Sequence, residues 1–461
     1  MKKLLLVFAF VPFLLFSQSR KQRKALEAQR KADQQVINNF KSHILFFQNN
    51  AGGADVASKK DELIVNYIIN QFKNIGLQPK GTTGYLQQFK IDEGKTIDAA
   101  TFLKVNGTTL SVKKDYFPLS FSASKSVTGM PAMALKEKGV PWFTDVKEWL
   151  EDDTTKADPD MFKTVLKEAD RAASKGATAL FLYNSSHLAD NLRFNNREKT
   201  SRASIPVIYI TSAGYSKYFI DQSQVLDIEL NVAFKDVIKN AENVVGYIDK
   251  GAASNIVIAA PYNSFYDPEN EKTNGNANVS SASMLIELAK MLQASKAKNS
   301  NYTFIAYTDE DSLSKDSKWF NAAVASHGAF VINLNKVGRY NDDKKLLVEG
   351  YGTSPGWIET IKPLADNNLE VNLDTSLHAG RGSAYAAKIP VLNFSTENDE
   401  NENKAAADNS KINYEGELNI AKFIYHLVQD ADRKGKPAFT GNNELKSTPH
   451  QISKPVLAAR T

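Results

Sequence analysis

The sequence contains no cysteine in its 461 residues and only six histidines. A chain without thiols has no disulfide framework, and any zinc site in it must be built from histidine or carboxylate ligands. The fold must therefore be stabilised by its hydrophobic core. Hydrophobic residues make up 42% of the chain, which at this length is enough for a large core and for two domains.

A strong charge of one sign is lacking as well. The chain carries 57 basic and 52 acidic residues, a formal net charge of +5. This balance is too mild to indicate binding of nucleic acid.

A long apolar run is the third absence. Lys2 and Lys3 precede an apolar run of roughly a dozen residues, which is shorter than the ~20 residues that a membrane span needs. The pattern predicts a signal peptide over residues 1–18, and hence a periplasmic or secreted protein with no transmembrane span in its mature form.

Composition and periodicity divide the rest of the chain into segments. Residues 19–47 are basic, with Ala and Leu at helical spacing, and predict a leader helix; we favour a solvated helix over one lying on a membrane surface. Residues 97–238 read as short strands with one clear helix, and therefore as an inserted β-rich domain. The tail, residues 434–461, shows little periodicity and is expected to be extended.

The segments 48–96 and 239–433 carry the alternation that decides the fold class. An amphipathic helix is predicted to end at Gly76, and after residue 240 apolar strands alternate with helical patterns. This alternation predicts an α/β domain with a mixed, mainly parallel sheet in a three-layer αβα sandwich.

The most acidic strand end is Asp309, Glu310 and Asp311, directly after the apolar run FIAYT. Neighbouring carboxylates at such a position can supply a metal ligand and a general base. The alternative is a solvated acidic loop.

Several short segments occur in a particular order: NVVGYI, IVIAAPYNSF, NGNANVSSASMLIELAK, FIAYTDED, VINLNKVGR, GYGTSPGW, IPVLNF and KINYEG. In this order they resemble the exported aminopeptidases with two co-catalytic zinc ions, a family that includes bacterial leucyl aminopeptidase, aminopeptidase Y and glutamate carboxypeptidase. The resemblance covers about residues 48–96 and 240–430. The intervening segment resembles the protease-associated domain that many of these enzymes carry.

The resemblance also implies which positions would carry the chemistry. Glu310 falls on the family's general base, and the five metal-ligand positions fall on Pro261, Ala277, Asp311, Asn335 and Asn403. Proline and alanine offer no side-chain donor, and a neutral amide is a poor zinc ligand. We therefore expect no zinc and a vestigial Glu310.

Polar side chains near these positions are candidates for binding a ligand. They are Asn263, Asn276, Asn278, Lys336, Arg381 and Tyr385. Lys336 could pair with Glu310 or Asp311 in the former metal volume, but we favour the alternative that strand alternation directs it away, toward solvent or the insert.

The leading hypothesis is a non-catalytic homologue, a pseudoenzyme, that binds a peptide or protein. One alternative is an active metallo-aminopeptidase that uses Glu310 and Asp311 together with unrecognised ligands such as Asp267, Asp309 or His378. Another is a structural scaffold in an envelope complex. Serine hydrolysis at GTSPG is excluded, because Pro355 has no N–H to donate to an oxyanion.

Overall fold

The computed structural model describes most of the chain. The described residues are 20–50, 59–151, 161–196, 202–221, 223–262, 266–267, 272–273, 275–308, 328–338, 340, 345–364, 369–374, 388–396, 412–435, 437–440 and 450–452. Within them the chain forms two compact units, one of residues 1–89 and 240–461 and the other of residues 90–239.

The helices, in chain order, are α1 (Arg20–Asn50), α2 (Lys59–Ile75), α3 (Lys147–Leu150), α4 (Met161–Ser174), α5 (Ser212–Tyr218), α6 (Gly275–Ala294), α7 (Gly356–Ile361) and α8 (Tyr414–Lys434). A 3-10 turn covers Tyr351–Thr353. The strands are β1 (Gln78–Pro79), β2 (Leu86–Ile97), β3 (Phe102–Val105), β4 (Thr108–Thr109), β5 (Tyr116–Pro118), β6 (Ser126–Gly129), β7 (Trp142–Asp145), β8 (Leu180–Tyr183), β9 (Val207–Ile210), β10 (Ile228–Asn231), β11 (Phe234–Ile248), β12 (Ser254–Pro261), β13 (Tyr266–Asp267), β14 (Lys272–Thr273), β15 (Ser300–Tyr307), β16 (Gly328–Leu334), β17 (Lys345–Glu349), β18 (Glu370–Asp374), β19 (Val391–Ser395) and β20 (His450–Ile452).

The first unit is built on one mixed sheet. Its strand order is β1-β11-β15-β12-β16-β19-β17-β18-β20, and β2 also pairs with β11. The central strands β15, β12, β16 and β19 are parallel, whereas antiparallel pairs join β11 to β15 and β19 to β17. The predicted α/β class with a mixed sheet that is parallel at its centre is confirmed.

Helices α1, α2, α6 and α8 contribute to the main core over one face of this sheet. Strand β12 is buried from Asn255 to Pro261, as its unbroken apolar run predicts for a central parallel strand. The order of the strands on either side of β12 indicates where a ligand is expected. The chain leaves β12 through α6 to β15 on one side and then crosses to β16 on the other side, so the carboxyl end of β12 is a topological switch point.

The second unit contains two four-stranded sheets, β4-β3-β10-β6 and β5-β9-β8-β7. One apolar cluster takes residues from both sheets, and a second joins the sheet β5-β9-β8-β7 to the buried residues Val165, Ala169 and Ala172 of α4. Asn106 and Gly107 both have positive φ at the turn between β3 and β4, as expected for a tight hairpin. The two units meet in sequence inside the long strands β2 and β11.

Three further sequence expectations can be compared with the described residues. The leader helix extends to Asn50, beyond the predicted 47, and α2 ends just before Gly76, whose φ is 90°. Part of the tail forms β20, which pairs with β18. None of the helices formed by the described residues has the length and apolar character that a membrane crossing requires.

Candidate functional site

The carboxyl ends of the parallel strands meet at one edge of the sheet. Pro261 ends β12 and pairs in register with Tyr307, the last residue of β15. On the other side Ala259 pairs with Asn333, so Asn335, two residues further on, is level with Pro261. Neighbouring strands lie about 5 Å apart. Two of the positions that the resemblance assigns to metal ligands therefore lie on neighbouring strand ends at the switch point.

The third described ligand position, Ala277, lies in the first turn of α6, two residues after the helix begins at Gly275. Asn276 and Asn278 flank it in the same turn. The helix follows β12 in the chain and packs against it. The structure thus describes the backbone of three of the five ligand positions. Their side chains are proline, alanine and asparagine.

This set of donors does not fit a zinc ion. Proline and alanine have no donor atom, and the amide of Asn335 carries no charge to offset the lost hydration of the ion. Within the described part of the chain, no three His, Asp or Glu side chains lie close enough together to hold a metal. No catalytic step through a metal is derived for this chain.

Other candidate residues lie outside the described residues. They are Asn263, Asp309, Glu310, Asp311, His378, Arg381, Tyr385 and Asn403. The suggested pairing of Lys336 with Glu310 or Asp311 therefore stays a prediction. Asp267, an alternative ligand, lies in β13 opposite Lys272.

Asn335 and Lys336 form a rigid corner after β16. The Asn335 N–H donates to the Phe394 carbonyl at 2.9 Å, and Asn335 is 6% exposed. The Lys336 carbonyl accepts from the N–H of Thr396 at 3.1 Å and from its hydroxyl at 2.7 Å. Lys336 has a left-handed φ of 59°, a conformation that costs a non-glycine residue about 1 kcal/mol or more and that concentrates at functional sites.

A ladder of buried polar groups runs across the sheet just below this edge. The Tyr307 hydroxyl donates to Asn333 Oδ1 at 3.2 Å, the Asn333 amide donates to Asn393 Oδ1 at 2.9 Å, and the Asn393 amide donates to Glu349 Oε2 at 2.6 Å. All four residues are at most 5% exposed. By strand alternation they share a face with Pro261, on the side opposite the main core. The ladder therefore supports the strands whose ends form the site.

Sequence reasoning missed this ladder. Its signal was present, because the apolar runs VINLN and VLNFS each carry an asparagine that interrupts a buried strand. A buried amide needs partners, so two such residues in neighbouring strands indicate a hydrogen-bonded pair.

The end of β15 is also held by amides. The Thr308 N–H donates to Asn243 Oδ1 at 3.2 Å, and Asn243, which is fully buried, donates to Gln87 Oε1 at 2.8 Å. These contacts tie the strand to β11 and β2. They fix the position of Thr308, the residue that precedes Asp309 in the chain.

A buried carboxyl lies beside the loop that follows Lys336. Glu417, in the first turns of α8, is fully buried next to Ser280 of α6. The close approach depends on Gly338, because a Cβ there would lie 2.0 Å from the Ser280 hydroxyl and 3.1 Å from Glu417 Oε1. Burial raises the pKa of Glu417 to about 8, and the Ser280 hydroxyl lowers it by a smaller amount.

The serine of the GTSPG segment is buried rather than presented to solvent. Ser354 is 1% exposed, and its hydroxyl accepts from the Gly356 N–H at 3.4 Å. Pro355 begins α7. Burial thus adds to the missing N–H as a reason against a serine nucleophile.

Solved structures with a similar fold exist. The aminopeptidase from Aneurinibacillus sp. strain AM-1 matches with a TM-score of 0.53 and 18% identity over 91% of this chain and 96% of that one. BSAP, a zinc aminopeptidase from Bacillus subtilis, matches with a TM-score of 0.51 and 17% identity over 87% of this chain and 98% of that one. The chain has the zinc-aminopeptidase fold.

At these identities the likeness establishes the fold alone. No protein-family model matches the sequence, and no curated protein matches it. A metallopeptidase-like architecture is thus established. The chemistry of the site must be argued from this chain's own residues.

Proposed function

We propose that this protein is an exported, non-catalytic relative of the zinc aminopeptidases that binds a peptide or a peptide segment of a protein partner at the former catalytic edge. The observation that carries the proposal is the level pair Pro261 and Asn335 at the switch point. Both positions hold metal ligands in the family that the sequence resembles, and here neither offers an ionised or nitrogen donor.

The residues around the edge support binding without hydrolysis. Carboxamides can donate to a peptide carbonyl and accept from a peptide N–H without activating water. Asn276 and Asn278 lie in the first turn of α6, at the same end of the sheet as Asn335. Asn335 is 6% exposed, so its contact with a ligand would involve only a small part of its surface. The second unit, proposed to be a protease-associated-type insert, is the other candidate surface.

Peptide binding can be measured with a defined probe. We expect the tripeptide Leu-Gly-Gly to bind the wild-type chain in titration calorimetry without release of leucine. Asn335→Ala and Asn278→Ala should each weaken binding several-fold, whereas Asn299→Ala, at an exposed position beyond the carboxyl end of α6, should not. Release of leucine that a chelator abolishes would refute the proposal. Binding that is equal in all three variants would remove the edge as the binding site.

A further inference from the structure

Helix α1 is firmly attached to the first unit through its carboxyl-terminal half. Ile37, Phe40, Ile44 and Phe47 follow helical spacing and are at most 5% exposed. Phe40, Ile44 and Phe47 belong to the main core. Half of this helix is therefore an integral part of the fold.

A polar contact reinforces this attachment. His43 Nδ1 lies 2.7 Å from the Tyr67 hydroxyl of α2, and His43 Nε2 lies 3.3 Å from Glu287 Oε1 of α6. The Asn39 amide donates to the other oxygen of Glu287 at 3.1 Å. His43 and Glu287 are buried, so these contacts fix the direction in which the helix continues toward its amino terminus.

The amino-terminal half is different. Every residue from 22 to 32 is exposed, and we call this segment the basic arm. Its sequence is QRKALEAQRKA, and at a helical rise of 1.5 Å per residue it is about 16 Å long. The first ion pair of α1 with another element comes just after it, between Asp33 and Lys422 of α8 at 2.7 Å.

The charges of the basic arm lie on one side. Arg23, Lys24, Arg30 and Lys31 fall within an arc of about 120° when each residue turns the helix by 100°. Glu27 lies in the same arc and pairs with Lys31 at 3.6 Å, with both side chains largely exposed. The opposite side carries small, amide and single apolar residues. The arm therefore presents a net positive stripe.

Arg23 and Lys24, close to the amino terminus of α1, do not stabilise the helix. The amino terminus of a helix carries a partial positive charge, which favours acidic residues and disfavours basic ones. The first turn of α1 has no acidic residue. A charge pattern that stabilised the helix would place acidic residues at its amino terminus. The positive stripe therefore points to an anionic partner outside the helix.

We propose that the basic arm lies against an anionic phospholipid surface by electrostatic attraction. A straight, one-sided stripe fits a planar surface of distributed negative charge. In the sequence the arm follows the apolar run of residues 4–15 by only a few residues, so export across a membrane brings it next to a bilayer. Leu26 is the only large apolar residue in the sequence of the arm, and Phe40, Ile44 and Phe47 of α1 are buried in the core, so the arm adheres mainly through its charges.

Vesicle sedimentation tests this proposal, which is independent of peptide binding. The chain from Ser19 onward retains every described residue and is mixed with phosphatidylcholine vesicles that contain or lack about 30% phosphatidylglycerol. We expect binding to the anionic vesicles only, with release as the salt concentration rises. The variant R23E/K24E/R30E/K31E should lose at least about tenfold in binding.

A matched variant controls for overall charge. Lys296, Lys298, Lys345 and Lys362 are exposed on other parts of the first unit, and their replacement by Glu changes the net charge equally. This control should bind anionic vesicles nearly as well as the wild type, and circular dichroism should show that both variants stay folded. Equal losses in the two variants, equal binding to neutral vesicles, or no binding to anionic vesicles would overturn the proposal. Salt-sensitive binding to polyglutamate without vesicle binding would also overturn it and would indicate an acidic protein partner.

Discussion

Glu417 shows how one residue can make this fold sensitive to pH. Its carboxyl is fully buried beside Ser280 and Gly338, and burial raises its pKa from an ordinary 4.5 to about 8. Between these two pH values the folded chain holds a proton that the unfolded chain has released. The stability that this group contributes is therefore complete below about pH 4.5 and is lost as the pH rises through about 8.

The Glu417→Gln variant tests this linkage, because glutamine keeps the shape and cannot ionise. Its stability in urea unfolding should be similar to that of the wild type near pH 4.5 and should exceed it increasingly toward pH 8, by at most about 1.4 kcal/mol per pH unit. Glu415→Gln, two residues earlier and exposed, is the control and should show no such trend. Parallel pH profiles of wild type and Glu417→Gln would show that Glu417 is ionised in the folded state.

The site residues could be predicted from the sequence only in part. The resemblance assigned Pro261 and Asn335 to metal-ligand positions, each at the end of an apolar run, and the pairing of β12 with β16 makes them level. The left-handed conformation of Lys336 and the contact of Glu417 with Ser280 could not be predicted. Both depend on loops and helices that meet only in the folded chain.

At the scale of the element, the ladder from Tyr307 to Glu349 links four strands through side chains. Each amide in it both donates and accepts, so removing one member takes a hydrogen bond away from buried groups on both sides. The strand periodicity predicted the buried strands themselves. It could not show that their asparagines are paired, because register between strands is a tertiary property.

Asn333→Leu tests the ladder, since it removes the acceptor of Tyr307 and the donor to Asn393 while nearly keeping the volume. We expect a loss of about 1–3 kcal/mol in the free energy of unfolding, measured by urea denaturation. Asn74→Leu, an exposed change in α2, should stay within about 0.5 kcal/mol of the wild type. A similar small effect at Asn333 would mean that the ladder contributes little to the sheet.

At the scale of the whole molecule, the order of strand and helix patterns was enough to predict the α/β architecture. Such a fold is specified by alternating apolar strands and amphipathic helices over many residues. An error in assigning one residue therefore does not change the predicted fold class. The same argument explains how this fold can form with proline, alanine and asparagine at positions that the resemblance assigns to metal ligands. The core and the switch point depend on apolar residues such as those of β12, not on the few residues at the strand ends.

The central claim is that this fold no longer holds a metal centre, and metal content tests it most directly. The purified chain is equilibrated with a small excess of zinc, passed through gel filtration and measured by elemental analysis. We predict near-zero zinc per chain, because Pro261, Ala277 and Asn335 leave too few donors. Tightly held zinc in stoichiometric amount would contradict the account and would direct attention to ligands outside the three strand-end positions.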